Sequence, residues 1–284
     1  MITFPIVDCH VHFWDPKALT YAWLEETPKI NRRFLPKDHK EASGDIEVER
    51  IVFLQAEVDP AQFMGEADWV TSLAKEDPRI EGMVPWAPLE NGDAVRDDLE
   101  TLAQNRLVKG VRRIIQFEQD IEFCLRPDFV KGVQAVEDFG LSFDICIFHP
   151  QLANTIEMVR QCPRVRFMLD HIAKPGIKDG LVEPWKQELK TLSEMENVWC
   201  KISGVATEAD HDNWTRDDLR PYIEHVVDCF GFDRVAFGSD WPVATLAIKY
   251  PAWVETICWA LEGCSEEELR KLFHDNAMAF YRLG

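Results

Sequence analysis

The chain has 284 residues, 46% of them hydrophobic and 29% charged, a composition that excludes a disordered or fibrous protein. Fifty acidic residues against 31 basic ones give a formal charge of −19. A field of that sign repels phosphate backbones and anionic lipid surfaces, so neither nucleic acid nor a membrane is an expected partner, while a small anionic ligand stays open.

The first β-rich run, Ile6–His12, ends on two histidines. Phe13–Glu49 comes next without a clear periodic element, rich in Trp, Tyr, Pro and charge. Connections of that length are usually functional or disordered, and the aromatics argue against disorder. Arg50–Glu57 reads as the second strand, and Gly65–Glu76 as a helix with Ala67, Val70, Leu73 and Ala74 on one face. Strand Ile80–Leu89 precedes helix Asp93–Asn105. Strand Val108–Gln116 precedes helix Pro127–Phe139, which opens on a proline and closes before Gly140. The alternation continues with Leu141–His149 and Leu152–Cys162, then Val165–His171 and Glu183–Met195. Next come Asn197–Gly204 and Asp217–Phe230, then Arg234–Asp240 and Ala252–Leu261. A last helix, Ser265–Leu283, starts on a capping-box pattern, Ser265 with Glu268.

Eight strand–helix repeats argue a parallel sheet, and eight is the number that closes a (β/α)8 TIM barrel of the α/β class. One domain over residues 1–284 is expected. An open doubly wound sheet would call for a Gly-rich turn after the first strand, and none is present. In a barrel the long segment after strand 1 overhangs the C-terminal mouth as a lid or pocket wall. No apolar run reaches the roughly 18 residues of a membrane span. Residues 1–7 lack the features of a signal peptide. The eight cysteines form no Cys-x-x-Cys pair and read as buried thiols in a reducing cytoplasm. A homo-oligomer is compatible with all of this.

Four of the eight histidines fall at the C-terminal ends of expected strands: His10 and His12 on strand 1, His149 on strand 5, His171 on strand 6. Asp240 ends strand 8. The other histidines, His39, His211, His225 and His274, read as solvated or capping groups. His10 and His12 are two residues apart, so alternation points both into the barrel. Five ionisable groups from four strands converging on one mouth mark a catalytic or binding site. On strand 4 either Arg112 or Arg113 must face inward, where a guanidinium suits a carboxylate or a hydroxyl-rich substrate. Gln55 and Glu57, Trp86, and Lys201 with Ser203 offer further lining. Trp14, Trp23, Trp86 and Trp241 lie near the expected mouth, where aromatic faces can cover a sugar-like ring.

The segments Val7-Asp8-Cys9-His10-Val11-His12-Phe13-Trp14-Asp15-Pro16 and Tyr21-Ala22-Trp23-Leu24 carry a family resemblance. So do Lys109-Gly110-Val111-Arg112, Leu169-Asp170-His171-Ile172-Ala173-Lys174-Pro175, Lys201-Ile202-Ser203-Gly204, Phe237-Gly238-Ser239-Asp240-Trp241-Pro242-Val243 and Asn276-Ala277. With them the chain resembles the amidohydrolase superfamily of metal-dependent hydrolases. It is closest to the amidohydrolase 2 branch, which includes sugar-acid lactonases of the L-fuconolactonase and L-rhamnonolactonase type. The resemblance implies hydrolysis of a sugar-acid lactone. Asp240 would activate water, and His171 with His10 and His12 would polarise the carbonyl. Arg112 and the lid would bind the sugar or carboxylate part.

Members of the superfamily bind one or two divalent metals through the positions of His10, His12, His149, His171 and Asp240. A binuclear site usually has a carboxylated Lys or a Glu at the end of strand 4. Arg112-Arg113 stands there instead, and a fixed cation disfavours a second metal. One divalent ion, zinc above others, or none is therefore expected. Two alternatives remain. One is a metal-dependent decarboxylase of a small aromatic or muconic acid. The other is a barrel that binds a sugar acid without turnover, against which the cost of idle buried ionisable groups argues.

Overall fold

The computed structural model describes residues 2–284. Eight strands occur in the expected order: β1 (Ile6–Val11), β2 (Val48–Leu54), β3 (Ile80–Val84), β4 (Gly110–Val111), β5 (Ser142–Ile145), β6 (Phe167–Leu169), β7 (Val198–Ile202) and β8 (Val235–Phe237). All pair in parallel, as two arcs, β1-β2-β3 and β4-β5-β6-β7-β8. Both seams are bridged, Met83 to Val108 and Val11 to Trp241. The second seam is hydrogen-bonded from His12 N to Trp241 O (2.8 Å) and from Asp240 N to His10 O (2.9 Å). The two strand ends that carry the expected acid and bases are thus stitched directly together.

The strands are shorter than the apolar runs that encode them. β5 stops at Ile145, four residues before His149, and β4 keeps only two paired residues. The remainder of each run leaves the ladder to line the mouth. Between strands lie α2 (Phe63–Glu76), after a helix the sequence did not show, α1 (Pro36–Ser43). Then come α3 (Arg96–Ala103), α4 (Pro127–Asp138), α5 (Leu152–Gln161), α6 (Trp185–Ser193), α7 (Arg216–Phe230) and α8 (Tyr250–Ala260). The expected last helix is divided into α9 (Glu266–Arg270), a π turn over Lys271–Asp275, and α10 (Asn276–Tyr281). A π turn inserts one extra residue and rotates the helix beyond it. Here it precedes α10, whose Phe280 and Tyr281 pack in the barrel interior with Val7, Cys9, Val52, Leu54, Val84, Met168 and Ala236. Among the described residues no helix is long and apolar enough to cross a membrane.

The register of β1 against β2 decides where its polar side chains go. Asp8 pairs with Ile51 and Val11 with Phe53, so three steps on β1 oppose two on β2. This is a β-bulge, which re-aims side chains beside it. Strict alternation would put Asp8 on the same face as His10. Instead Asp8 lies among the outer helices, where its carboxylate accepts hydrogen bonds from Tyr250 Oη (3.0 Å) and the Ser239 backbone N–H (2.8 Å). His39, on α1, is fully buried with Nε2 3.2 Å from Asp8 Oδ2. That corrects the reading of His39 as a solvated or capping group: it anchors α1 of the long segment to the barrel wall.

Candidate active site

The bulge leaves His10 and His12 both inside the barrel. Their Nε2 atoms are 3.2 Å apart. Asp240 Oδ1 lies 3.3 Å from His12 Nε2, 3.6 Å from His10 Nε2 and 3.9 Å from His171 Nε2. All four residues are at least 95% buried. Each imidazole is oriented from behind. His12 Nδ1 donates to the Leu54 carbonyl (2.8 Å), so Nε2 is the nitrogen that faces Asp240. His10 Nδ1 is 3.3 Å from Asp170 Oδ1, and His171 Nδ1 is 2.9 Å from Ser203 Oγ.

Below this set the barrel holds a layer of charge. Lys201 Nζ donates to Asp144 Oδ2 (2.6 Å) and Asp170 Oδ1 (3.0 Å), and Tyr281 Oη donates to Asp144 Oδ2 (2.6 Å). Arg112 Nη1 donates to Asp170 Oδ2 (3.0 Å) and reaches His10 Nε2 at 3.3 Å, while its Nη2 donates to the Gln55 carbonyl. Arg112 and Lys201 balance Asp144 and Asp170. Asp240 is left as the carboxylate with no fixed cation, only imidazoles, beside it.

The electrostatics come from that layout. Burial pushes the Asp240 carboxyl up, but His171, the His12 hydrogen bond and His10 more than offset it and hold Asp240 well below the usual carboxylate range. Burial brings His171 down to about 4, against the pull of Asp240. Burial likewise keeps His10 neutral, opposed by Asp170. At neutral pH Asp240 is therefore ionised, and His10 and His171 are neutral. Asp240 Oδ1 faces the histidines. Its Oδ2 makes no hydrogen bond among the described residues and can accept a proton.

The backbone at the mouth is strained. Seven non-glycine residues among those described have left-handed φ, and six of them lie at the mouth: Glu57, His171, Ile172, Ala173, Lys174 and Asp240. Each costs on the order of 1–3 kcal/mol, and such outliers cluster where function holds them. Gly204, at φ +57°, supports the two central groups from below. A Cβ there would stand 2.6 Å from His171 Nδ1 and 3.1 Å from Asp240 Oδ2. Gly204→Ala is expected to lower kcat/KM at least roughly 100-fold, the cost of about 1 Å misplacement of reacting groups. Steady-state assays on the variant, with its fold verified by circular dichroism, check this; kcat/KM within tenfold of wild type would contradict it.

A cavity of about 450 Å³ opens above His12, His171, Asp240 and Arg112. Trp14 and Trp23 of the long segment line it, as expected. Trp14 Nε1 donates to Arg32 O (2.8 Å), within the long segment itself, and Trp23 Nε1 donates to Ala56 O (2.8 Å), which ties the segment to the loop after β2. Other expected positions are not brought together. His149 opens a short turn beyond β5, is partly exposed, and stands outside the His–Asp set. The sequence places it at the end of strand 5 because the apolar run outlasts the paired strand. Arg113 turns away, clamped by Glu90 (3.1 Å) and paired with Glu118. Trp86 packs on Phe63 and, with Arg113, faces a neighbouring crevice. Gln55 is buried beneath the cavity, where its Oε1 accepts from Glu57 N (2.6 Å). Lys174, Glu208, Cys146, Phe117 and Phe148 also line the cavity; Lys174 lies in the Leu169–Pro175 segment that carries the family resemblance, and no sequence pattern singles out the other four.

The amidohydrolase family model matches residues 7–283. L-fucono-1,5-lactonase of Burkholderia ambifaria is 30% identical over 98% of this chain and 95% of its own length. L-rhamnono-gamma-lactonase of Scheffersomyces stipitis is 24% identical over the whole of both chains. The crystal structure of an amidohydrolase from Burkholderia multivorans with bound zinc superposes with a TM-score of 0.89 at 26% identity, covering 99% of this chain and all of that one.

Proposed function

The chain belongs to the amidohydrolase family, and from that premise we propose that it is a lactonase that opens the ring of a sugar-acid lactone by hydrolysis. The observation that carries this reading is one ionised carboxylate, Asp240, set beside three imidazoles at the floor of a cavity that Trp14 and Trp23 help to line. The likeness over nearly full length to two sugar lactonases supports the same substrate class.

In this reading water lies between Asp240 Oδ2 and the lactone carbonyl, and Asp240 takes its proton as oxygen attacks carbon. His171 and the Arg112 guanidinium face the oxygen on which negative charge develops. The partly exposed Trp23 lies against the sugar ring, with the fully buried Trp14 packed behind it at 5.2 Å. The ring oxygen leaves as an alkoxide, and Lys174, whose side chain lines the same cavity, is assigned as the group that donates a proton to it.

The donor atoms also fit a divalent ion. Around tetrahedral zinc with ligands at about 2.0–2.1 Å, neighbouring donors stand about 3.3–3.4 Å apart. The spacings among His10 Nε2, His12 Nε2 and Asp240 Oδ1 are 3.2, 3.3 and 3.6 Å. Both imidazoles are oriented through Nδ1 by an acceptor behind them, the arrangement that favours ligating nitrogens. These three residues would hold one ion, with His171 beside it; when bound it would supply Lewis-acid stabilisation at the carbonyl oxygen. Arg112, 3.3 Å from His10 Nε2, disfavours a second cation. Metal analysis of the protein after dialysis against zinc is expected to find one ion per chain, falling below about a tenth in His12→Ala. Two ions per chain, or equal content in that variant, would contradict the assignment.

The function is tested by proton release from a panel of L- and D-aldonolactones in a weakly buffered assay. Catalysed release from at least one 1,4- or 1,5-lactone is expected. Absence of release from every lactone, with carbon dioxide evolved from an aromatic or muconic acid instead, would overturn it.

A further inference from the structure

Two features of the mouth are left over once a sugar lactone has been accommodated. The first is volume. A hexonolactone has about a dozen non-hydrogen atoms and fills on the order of 200 Å³ at protein-like packing. The cavity is about 450 Å³. The second is the character of the spare wall. Phe117 and Phe148, on the loops after β4 and β5, meet edge to face at 6.1 Å. Strand order places them across the barrel from Trp14, Trp23, Val243 and Leu246, which lie after β1 and β8.

The exposed apolar surface is concentrated here as well. Among the described residues the exposed large apolar side chains are Phe117, Ile121, Leu181 and Val182, all on the loops after β4 and β6. Phe117 alone of these lines the cavity, and it is 67% exposed. A phenyl ring left in water at the lip of a binding cavity is surface that a ligand can bury. A fully hydroxylated sugar offers it only the C–H groups of its ring, far less apolar surface than an alkyl substituent.

We infer that the preferred substrate is a lactone carrying an apolar substituent on the ring carbon remote from the carbonyl, and that this substituent packs against Phe117 and Phe148. The inference rests on the lactonase reading and names the substrate class within it. With the carbonyl over Asp240, the far end of the ring is the part that can reach these phenyl groups. A chain of several carbons fits the spare volume.

The test is a series of δ-lactones, unsubstituted, methyl-substituted and pentyl-substituted, assayed beside L-fucono-1,5-lactone. Burying each added methylene corresponds to about a fourfold gain in kcat/KM. The expected result is a rise of that order along the series, which Phe117→Ala flattens. Phe117 is exposed, so its truncation does not endanger the fold. A flat or falling series while the sugar lactone is hydrolysed would overturn this inference and leave the lactonase reading standing. So would a rise with the same slope in Phe117→Ala. No hydrolysis of any lactone, sugar or alkyl, would remove both together.

Discussion

Asp240→Asn is expected to lower kcat by about 10²–10⁴-fold, the range attributed to a positioned general base. The amide is nearly isosteric with the carboxylate, and its cost to the fold is small because no fixed cation depends on Asp240. The imidazoles around it are held from behind by Leu54, Asp170 and Ser203 and keep their places. KM should change far less than kcat, since the role assigned to Oδ2 is realised as the proton moves. Steady-state kinetics on the variant, with thermal unfolding as the control, decide the matter. A folded variant within tenfold of wild-type turnover would remove Asp240 from the role of base.

The second large effect is on stability. Lys201 is completely buried, and its ammonium lies between Asp144 and Asp170. Lys201→Met removes the charge while keeping most of the volume; it leaves Asp144 buried without a cation, while Asp170 keeps only Arg112. Breaking one partner of a buried ionic set costs about 3–5 kcal/mol. For a chain of this size that is a fall in Tm of roughly 10 °C. Asp144→Asn, which keeps the hydrogen-bonding shape and leaves Asp170 to balance Lys201, should cost distinctly less. Thermal unfolding followed by circular dichroism at neutral pH measures both. A Lys201→Met midpoint within about 2 °C of wild type would show that the charged layer does not support the barrel.

Much of the fold is legible in the chain itself. Strands buried on both faces must be written in Val, Ile and Phe, so all eight stand out, and the residues at their ends mark His10, His12, His171 and Asp240. Position along each run is harder to read. His149 continues the apolar stretch of β5, yet pairing with β6 ends at Ile145; Cys146 and Phe148 still line the cavity, while His149 opens a turn outside the His–Asp set. Pairing register is a property of two strands, so the bulge at β1 is invisible in β1 alone. That bulge separates Asp8 from His10 and buries His39 behind the wall.

The charged layer leaves a signal that is only half readable. Asp144 in Phe-Asp-Ile and Lys201 in Cys-Lys-Ile each interrupt an apolar run, and an isolated charge inside a buried strand requires an opposite charge facing it. Strand position alone suggests lining for Lys201 and no role for Asp144; only the closed barrel sets the two against each other. The choice between Arg112 and Arg113 depends on which arginine β4 turns inward. The structure buries Arg112 and spends Arg113 on Glu90 and Glu118.

The central claim is that water, activated at Asp240, attacks a lactone carbonyl. The most direct measurement is mass spectrometry of the product formed in ¹⁸O-water from whichever lactone of the panel is opened fastest, at enzyme concentrations where uncatalysed opening is negligible. The account predicts one ¹⁸O per turnover in the new carboxylate, none in the hydroxyl released from the ring, and no loss of carbon dioxide. Label on the ring hydroxyl, a product lighter by one carbon dioxide, or no product above the uncatalysed background would contradict it.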